Sequence, residues 1–213
     1  MTKIFKDFSD NISLNNLQGI QSSIKRIIGL SFVDYSELQK NILPKVILNI
    51  KERFNNLKSD ALFQFEISKW IFDNKKYGFA YIALAESILT AICENKNIDS
   101  KLYHNREFAK YLITTSKGKK INDRFKSDGR NNAKVEIPLL VKTFEKYSKE
   151  YQVLYSIINE IRNTIAHQLE GVNKNRKICD LLNLKECNAK PLSPSETIKL
   201  LPVFYNQMND LIK

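Results

Sequence analysis

The sequence predicts an all-α protein, a helical bundle of about six to eight helices. Glycine and proline are scarce, with six and five among 213 residues, which argues against a turn-rich β-sandwich and for long helices. Apolar residues recur at helical spacing along nearly the whole chain. The length fits one domain, or one domain with an extension.

Capping residues and helix breakers predict the helix ends in the N-terminal part. A serine that can cap a helix precedes each of three apolar runs: Ser13, Ser36 and Ser59. Gly29 closes the first run, and Pro44 predicts a kink or a division within the second. We expect residues 1–58 to form an N-terminal helical region, either separate from or part of the domain formed by residues 59–213.

The run from Lys76 to Asn95 predicts the central helix of the bundle. Apolar or small residues occupy nearly all of its sides. Glu86 and Ser87 interrupt its apolar stretch, which is therefore too short and too polar to span a bilayer. We expect no membrane partner.

Three further helices are predicted in the C-terminal half. One spans residues 100–114, and a long one begins at Pro138 and ends at Gly171. The last begins at the sequence Ser-Pro-Ser-Glu of residues 193–196, a capping box with proline at the first helical position.

Charge and cysteine usage restrict the partners and the compartment. The net charge of +11 favours a polyanionic partner, first of all nucleic acid. Cys93, Cys179 and Cys187 are widely spread and form neither a disulfide framework nor a CxxC pair. Together with an N-terminus that lacks a signal-peptide core, this predicts a cytoplasmic protein.

The common metal and nucleotide motifs are absent from the sequence. His104 and His167 lie far apart, and neither has a cysteine or a second histidine at metal-ligand spacing. No GxxxxGK[ST], GxGxxG or GxSxG sequence occurs. We therefore expect no metal and no cofactor, and any catalysis should use side chains on helices.

The informative segment is RNTIAH, from Arg162 to His167. At about 100° per residue the helix has an apolar stripe and an opposite polar stripe. The apolar stripe contains Leu154, Ile158, Ile161 and Ile165, and the polar stripe contains Ser156, Asn159, Asn163 and His167. Arg162 lies at the edge, and its long stem can bring the guanidinium toward the polar side.

An arginine and a histidine on one helix suit the cleavage of an RNA phosphodiester. The guanidinium binds phosphate with a planar fork, and the imidazole transfers protons near neutral pH. Arg162 and His167 point about 140° apart on a straight helix, so one chain supplies them poorly to a single phosphate. We therefore expect a homodimer with the site at its interface. An ordinary amphipathic helix with a surface arginine remains the alternative from these residues alone.

The RNTIAH segment resembles the Rx4-6H signature of the HEPN superfamily of helical ribonucleases. The segment from Phe65 to Glu94, FEISKWIFDNKKYGFAYIALAESILTAICE, is similar to the first core helices of HEPN domains in CRISPR-associated ancillary proteins of type III systems. The resemblance extends from Leu62 to Gly171. It implies a HEPN-like helical domain and metal-independent endoribonuclease activity on single-stranded RNA. It also implies dimerisation and the catalytic pair Arg162 and His167, supported by Asn163.

The chain departs from those ancillary proteins because it has no βαβ pattern for their nucleotide-sensing CARF domain. Either sensing resides in another chain, or the chain is an effector domain alone, or an antitoxin partner regulates it as a toxin. A non-catalytic HEPN module that binds RNA, a nucleotide or a partner protein is the alternative to a nuclease in antiviral defence or growth arrest.

Two further features are candidates for supporting roles. Glu86 lies in the apolar central helix, where an unpaired carboxylate is costly, so it is a candidate partner for Arg162. A basic stretch between residues 117 and 134 can guide RNA electrostatically, although a solvated loop is an equal interpretation. Its candidate RNA-binding residues are Lys117, Lys119, Lys120, Arg124, Lys126 and Arg130.

Overall fold

The computed structural model of the chain describes residues 2–14, 16–30, 37–114, 149–167, 171–184, 187–188 and 190–212. Within these ranges every regular element is a helix, which confirms the all-α class. The helices are α1 Thr2–Ser13, α2 Leu17–Ile28, α3 Glu37–Phe54, α4 Asp60–Asp73, α5 Tyr77–Asn95, α6 Tyr103–Thr114, α7 Lys149–His167, α8 Arg176–Leu181 and α9 Pro194–Ile212. The apolar pattern did not single out α1 or α8.

The chain divides into two compact units. Unit 1 contains Met1–Ala91 and Tyr205–Lys213, and unit 2 contains Ile92–Phe204. The boundaries fall inside α5 and α9, so each unit includes part of both helices. The boundary predicted between residues 58 and 59 stays a prediction.

Helices α1 and α2 form an antiparallel hairpin at the start of unit 1, and α2 also packs against α3 and α4. The cap of α2 is Asn16, whose Oδ1 accepts a hydrogen bond from the Gly19 amide at 3.1 Å. The expectation that Ser13 caps this helix was wrong, because Ser13 is the last residue of α1. Gly19 is required at the hairpin contact, since a Cβ there would collide with the side chain of Asn11.

The predicted starts of α4 and α9 are confirmed, whereas those at Ser36 and Pro138 lie outside the described residues. Ser59 caps α4, with its Oγ accepting from the Leu62 amide at 3.1 Å. The capping box of α9 is complete: the Glu196 amide donates to Ser193 Oγ at 3.3 Å, and the Ser193 amide donates to Glu196 Oε2 at 2.9 Å. Pro44 does not divide its helix, because α3 is continuous through it.

The core of unit 1 is built mainly from α4 and α5. The largest fully buried side chains on these two helices are Phe65, Ile67, Ile71, Tyr81, Leu84 and Ile88. The expectation that α5 is too short and too polar to cross a membrane was wrong by length and composition, but 67% of the apolar window is buried inside the protein. This burial is the environment predicted for the central helix of a bundle.

A buried hydrogen-bond chain connects three helices of unit 1. Ser68 Oγ on α4 donates to the Ala80 carbonyl of α5 at 2.7 Å and lies 2.9 Å from the Tyr205 hydroxyl on α9. Because the single Ser68 hydroxyl proton is used toward Ala80, the Tyr205 hydroxyl donates to Ser68. Burial raises the pKa of Tyr205 above its ordinary value, so the tyrosine stays a neutral donor.

Unit 2 contains α6 packed against α7, followed by a short folded segment between α7 and α9. An antiparallel bridge joins Asn173 to Pro191 within that segment. Lys174 Nζ lies 2.8 Å from Glu196 Oε1, and the Lys174 side chain is 12% exposed. These contacts attach the segment to the capping box of α9.

The structure pairs Cys179 with Cys187 in a disulfide, with Cα atoms 5.6 Å apart. The expectation that the cysteines form no disulfide framework was therefore wrong for this pair, and Cys93 is buried and free. Cys179 lies within α8, and the two cysteines are eight positions apart in the sequence. Burial raises the pKa of the Cys93 thiol to about 11.

The Ser68–Tyr205 chain predicts unequal costs for two substitutions. Ser68→Ala leaves the buried Tyr205 hydroxyl without its acceptor, so we expect the free energy of unfolding to fall by about 1–3 kcal/mol. Tyr205→Phe leaves the Ser68–Ala80 bond intact and should cost about 0.5–1.5 kcal/mol. Urea unfolding of both variants and the double mutant measures the coupling between them. Ser22→Ala on the exposed side of α2 is the control. If Ser68→Ala and Ser22→Ala both leave the free energy of unfolding nearly unchanged, the buried Ser68–Tyr205 hydrogen bond does not stabilise the fold.

The capping box of α9 predicts a pH dependence of stability. Hydrogen bonds from Lys174, then from the Ser193 amide and hydroxyl, lower the pKa of Glu196 from its ordinary 4.5 to about 2. The ionised carboxylate therefore stabilises the fold above pH 4.5, and this stabilisation is lost as the pH falls from about 4.5 to 2. We expect Glu196→Gln to be less stable than the parent at pH 6, with the difference shrinking towards pH 2.

Urea unfolding at each pH measures that difference. The matched control is Glu52→Gln, which removes an exposed carboxylate of α3. A gap between parent and Glu196→Gln that is the same at pH 6 and pH 2 would contradict the role of the carboxylate.

Candidate functional site

Helix α7 buries one side and exposes the other. Its buried side chains are Leu154, Tyr155, Ile157, Ile158 and Ile161. Ser156 and Glu160 are exposed on the opposite side. The predicted apolar stripe is thus correct for its first part. Ile165 was expected in that stripe but is 37% exposed.

The last two turns of α7 carry the predicted site residues. Asn163 is half-buried and His167 is exposed. They are four residues apart, so their side chains lie on the same face one turn from each other. Solvent reaches the imidazole, as a group that exchanges protons with a substrate requires.

Arg162 is half-buried at the edge of the apolar side, and its guanidinium is turned toward the polar side. Arg162 Nη1 donates to Asn163 Oδ1 at 2.9 Å. The stem thereby covers apolar surface while the charged head reaches the face shared by Asn163 and His167. This contact partly compensates for the 140° angle between Arg162 and His167 around the helix axis, which would otherwise point the two side chains apart.

The hydrogen bond to Asn163 restricts the rotamers of the Arg162 side chain. A guanidinium has five N–H donors, and the bond to the Asn163 amide oxygen uses one of them. A phosphate on this face would meet a fixed cation and, one turn away, an imidazole. A guanidinium and an imidazole are groups that can bind a phosphodiester and transfer a proton.

The structure does not test the remaining candidates. Glu86 is half-buried on α5 in unit 1, whereas Arg162 belongs to unit 2. Its supporting role stays a prediction. The six basic candidates of the 117–134 stretch lie outside the described residues. Among the described residues no group of three or more His, Cys, Asp or Glu side chains is placed to hold a metal ion.

Comparison with known proteins adds one relative. The chain is 28% identical over 210 residues to "CRISPR-associated protein MJ1674" of Methanocaldococcus jannaschii. The chain is a distant homologue of a CRISPR-associated protein. The alignment covers 95% of this chain and therefore includes both units and the RNTIAH segment, but the chain spans only 29% of the length of this relative.

No family model matches the chain, and no solved structure matches it. The HEPN assignment therefore depends on the RNTIAH segment and on its place in an all-α protein. The comparison with the CRISPR-associated relative confirms the broader part of the resemblance, and the ribonuclease activity stays a prediction.

Proposed function

We propose that the chain is a metal-independent endoribonuclease of the HEPN type that cleaves single-stranded RNA. The observation that carries this proposal is the hydrogen bond from the Arg162 guanidinium to Asn163, one turn from the exposed imidazole of His167. With this bond, a cation suited to phosphate and a group suited to proton transfer lie on one face of α7. These two groups are the minimum required when the ribose 2′-hydroxyl of the RNA attacks its own phosphodiester.

In the proposed reaction the ribose 2′-oxygen attacks the adjacent phosphorus and the bond from phosphorus to the 5′-oxygen breaks. An imidazole accepts the 2′-hydroxyl proton, and an imidazolium gives a proton to the leaving 5′-oxygen. The Arg162 fork stabilises the negative charge that develops on the phosphorane. The products are a 2′,3′-cyclic phosphate and a 5′-hydroxyl.

Each chain contributes one such imidazole, and the reaction is best served by two. We propose a homodimer in which the last turns of two α7 helices face each other. Ile165 and Ala166 are exposed beside His167, and a second copy of α7 would cover this apolar surface. Both Arg162–Asn163–His167 groups would then border one cleft.

The biological setting we propose is antiviral defence, because the homologue named above is CRISPR-associated. Control of the nuclease would come from a CARF-type nucleotide sensor in trans. A toxin regulated by an antitoxin is the other arrangement compatible with the same site. Cell killing that a neighbouring gene product relieves would favour it.

The proposal predicts a large effect of removing the imidazole. His167→Ala should lower the cleavage rate of a single-stranded RNA by at least about 100-fold, because general acid–base catalysis is lost. The rate is measured in EDTA, with detection of 2′,3′-cyclic phosphate ends. His104→Ala removes the other histidine of the chain, in α6 of the same unit, and should leave the rate within a few-fold of the parent. Equal rates for parent and His167→Ala would remove His167 from the mechanism.

The planar fork of Arg162 predicts that a lysine cannot replace it. Arg162→Lys keeps the positive charge but loses the fork and the bond to Asn163. We therefore expect the cleavage rate to fall by at least about tenfold. Arg176→Lys is the matched control, since its side chain is 89% exposed on α8. If Arg162→Lys cleaves RNA as fast as Arg176→Lys, Arg162 acts by charge alone. RNA binding that falls steeply with salt, without cleavage by the parent, would identify a non-catalytic module instead.

A further inference from the structure

Leu102 and Tyr103 form an exposed apolar corner at the beginning of α6, here called the Tyr103 corner. Leu102 is 45% exposed and Tyr103 is 77% exposed. Tyr103 is the most exposed large apolar side chain among the described residues of unit 2. A tyrosine ring in this position exposes most of its surface to solvent and is available to a ligand.

A compact turn holds this corner in place. The Asp99 carbonyl accepts a hydrogen bond from Asn105 Nδ2 at 2.9 Å, and Asp99 Oδ1 accepts one from the Lys101 amide at 2.9 Å. Asn105 is itself buried, at 7% exposure. The ring of Tyr103 is therefore presented on a fixed backbone, and few degrees of freedom would be lost when a ligand binds.

The surroundings of the corner are basic. Four basic residues stand against two acidic residues between positions 96 and 110, in a chain of net charge +11. Lys101 is exposed immediately before the corner. Proteins that bind single-stranded nucleic acids commonly use an exposed aromatic ring beside a cation. The ring stacks on a base and the cation contacts a phosphate.

The size of the corner favours a nucleobase over a protein. A stable protein interface buries about 800 Å² on each partner, contributed by some 20–30 residues. A single nucleobase, in contrast, can stack on one aromatic side chain. The corner contains two adjacent apolar side chains. It also begins the helix that packs against α7, the helix of Arg162 and His167.

We propose that the Tyr103 corner is a binding subsite for single-stranded RNA, where Tyr103 stacks on one base and Lys101 contacts a phosphate. The subsite rests on the proposed function, in that it specifies how the substrate of the same unit is held. It acts on RNA affinity and takes no part in the chemical step.

The test measures RNA binding and cleavage separately on the full chain. Binding of a fluorescent uridine-containing oligoribonucleotide is measured by fluorescence polarisation in a His167→Ala background, which prevents cleavage. We expect Tyr103→Ala and Tyr103→Leu to weaken binding by about tenfold, and Tyr103→Phe to bind within twofold of the parent. Leu48→Ala removes a 56% exposed apolar side chain from α3 of unit 1 and should change nothing.

A photocrosslink locates the base directly. RNA that carries 5-iodouridine is irradiated on the protein, and the crosslinked residue is identified by peptide mass spectrometry; we expect Tyr103. A crosslink elsewhere, or a Tyr103→Leu variant that binds RNA as well as the parent, would overturn the subsite. An altered oligomeric state in Tyr103→Ala, with RNA affinity unchanged, would assign the corner to a protein contact and also overturn it.

Cleavage by the parent protein separates this proposal from the previous one. Cleavage with a KM that Tyr103→Ala does not change would leave the nuclease standing and remove the subsite. RNA binding that depends on Tyr103, without cleavage, would leave the subsite and remove the nuclease. Absence of RNA binding by the parent would overturn both.

Discussion

The burial of one side of α7 is the constraint on which the candidate site depends. Leu154, Ile158 and Ile161 are covered by the protein, so the helix cannot rotate about its axis without exposing them. Their burial orients Asn163 and His167 toward solvent and leaves Arg162 at the edge. The hydrogen bond to Asn163 then decides to which side the guanidinium turns. A weak apolar face would leave the same residues without a defined orientation.

Polar contacts in each unit fix the helices more specifically than apolar packing alone. In unit 1 the Tyr205–Ser68–Ala80 hydrogen bonds connect the consecutive helices α4 and α5 to α9, which is distant in sequence. In unit 2 the Lys174–Glu196 ion pair attaches the segment after α7 to the first turn of α9. Each contact is buried or partly buried, where an unmatched partner is costly.

The proposed site chemistry and the homology to a CRISPR-associated protein are independent routes, and the homology supports the association with CRISPR, not the ribonuclease activity. The site argument uses local geometry on one helix, and the homology extends along 95% of the chain. Neither route identifies the regulator, since most of the relative lies outside the aligned region.

Helix ends and the polar face of α7 were predictable from the sequence because they depend on neighbouring residues. Ser59 and the Ser193–Glu196 capping box satisfy amide groups within one turn, and the spacing of Asn163 and His167 needs only the helical repeat. The exposure of Ile165, the Cys179–Cys187 pairing and the Ser68–Tyr205 contact were not predictable. Each depends on which side chains a distant segment or a turn brings into contact. A single sequence does not give the distances between residues that are far apart in the chain. The sequence alone therefore determined which residues share a helix face, and the tertiary structure decided which of those faces are covered and which remain open to a substrate.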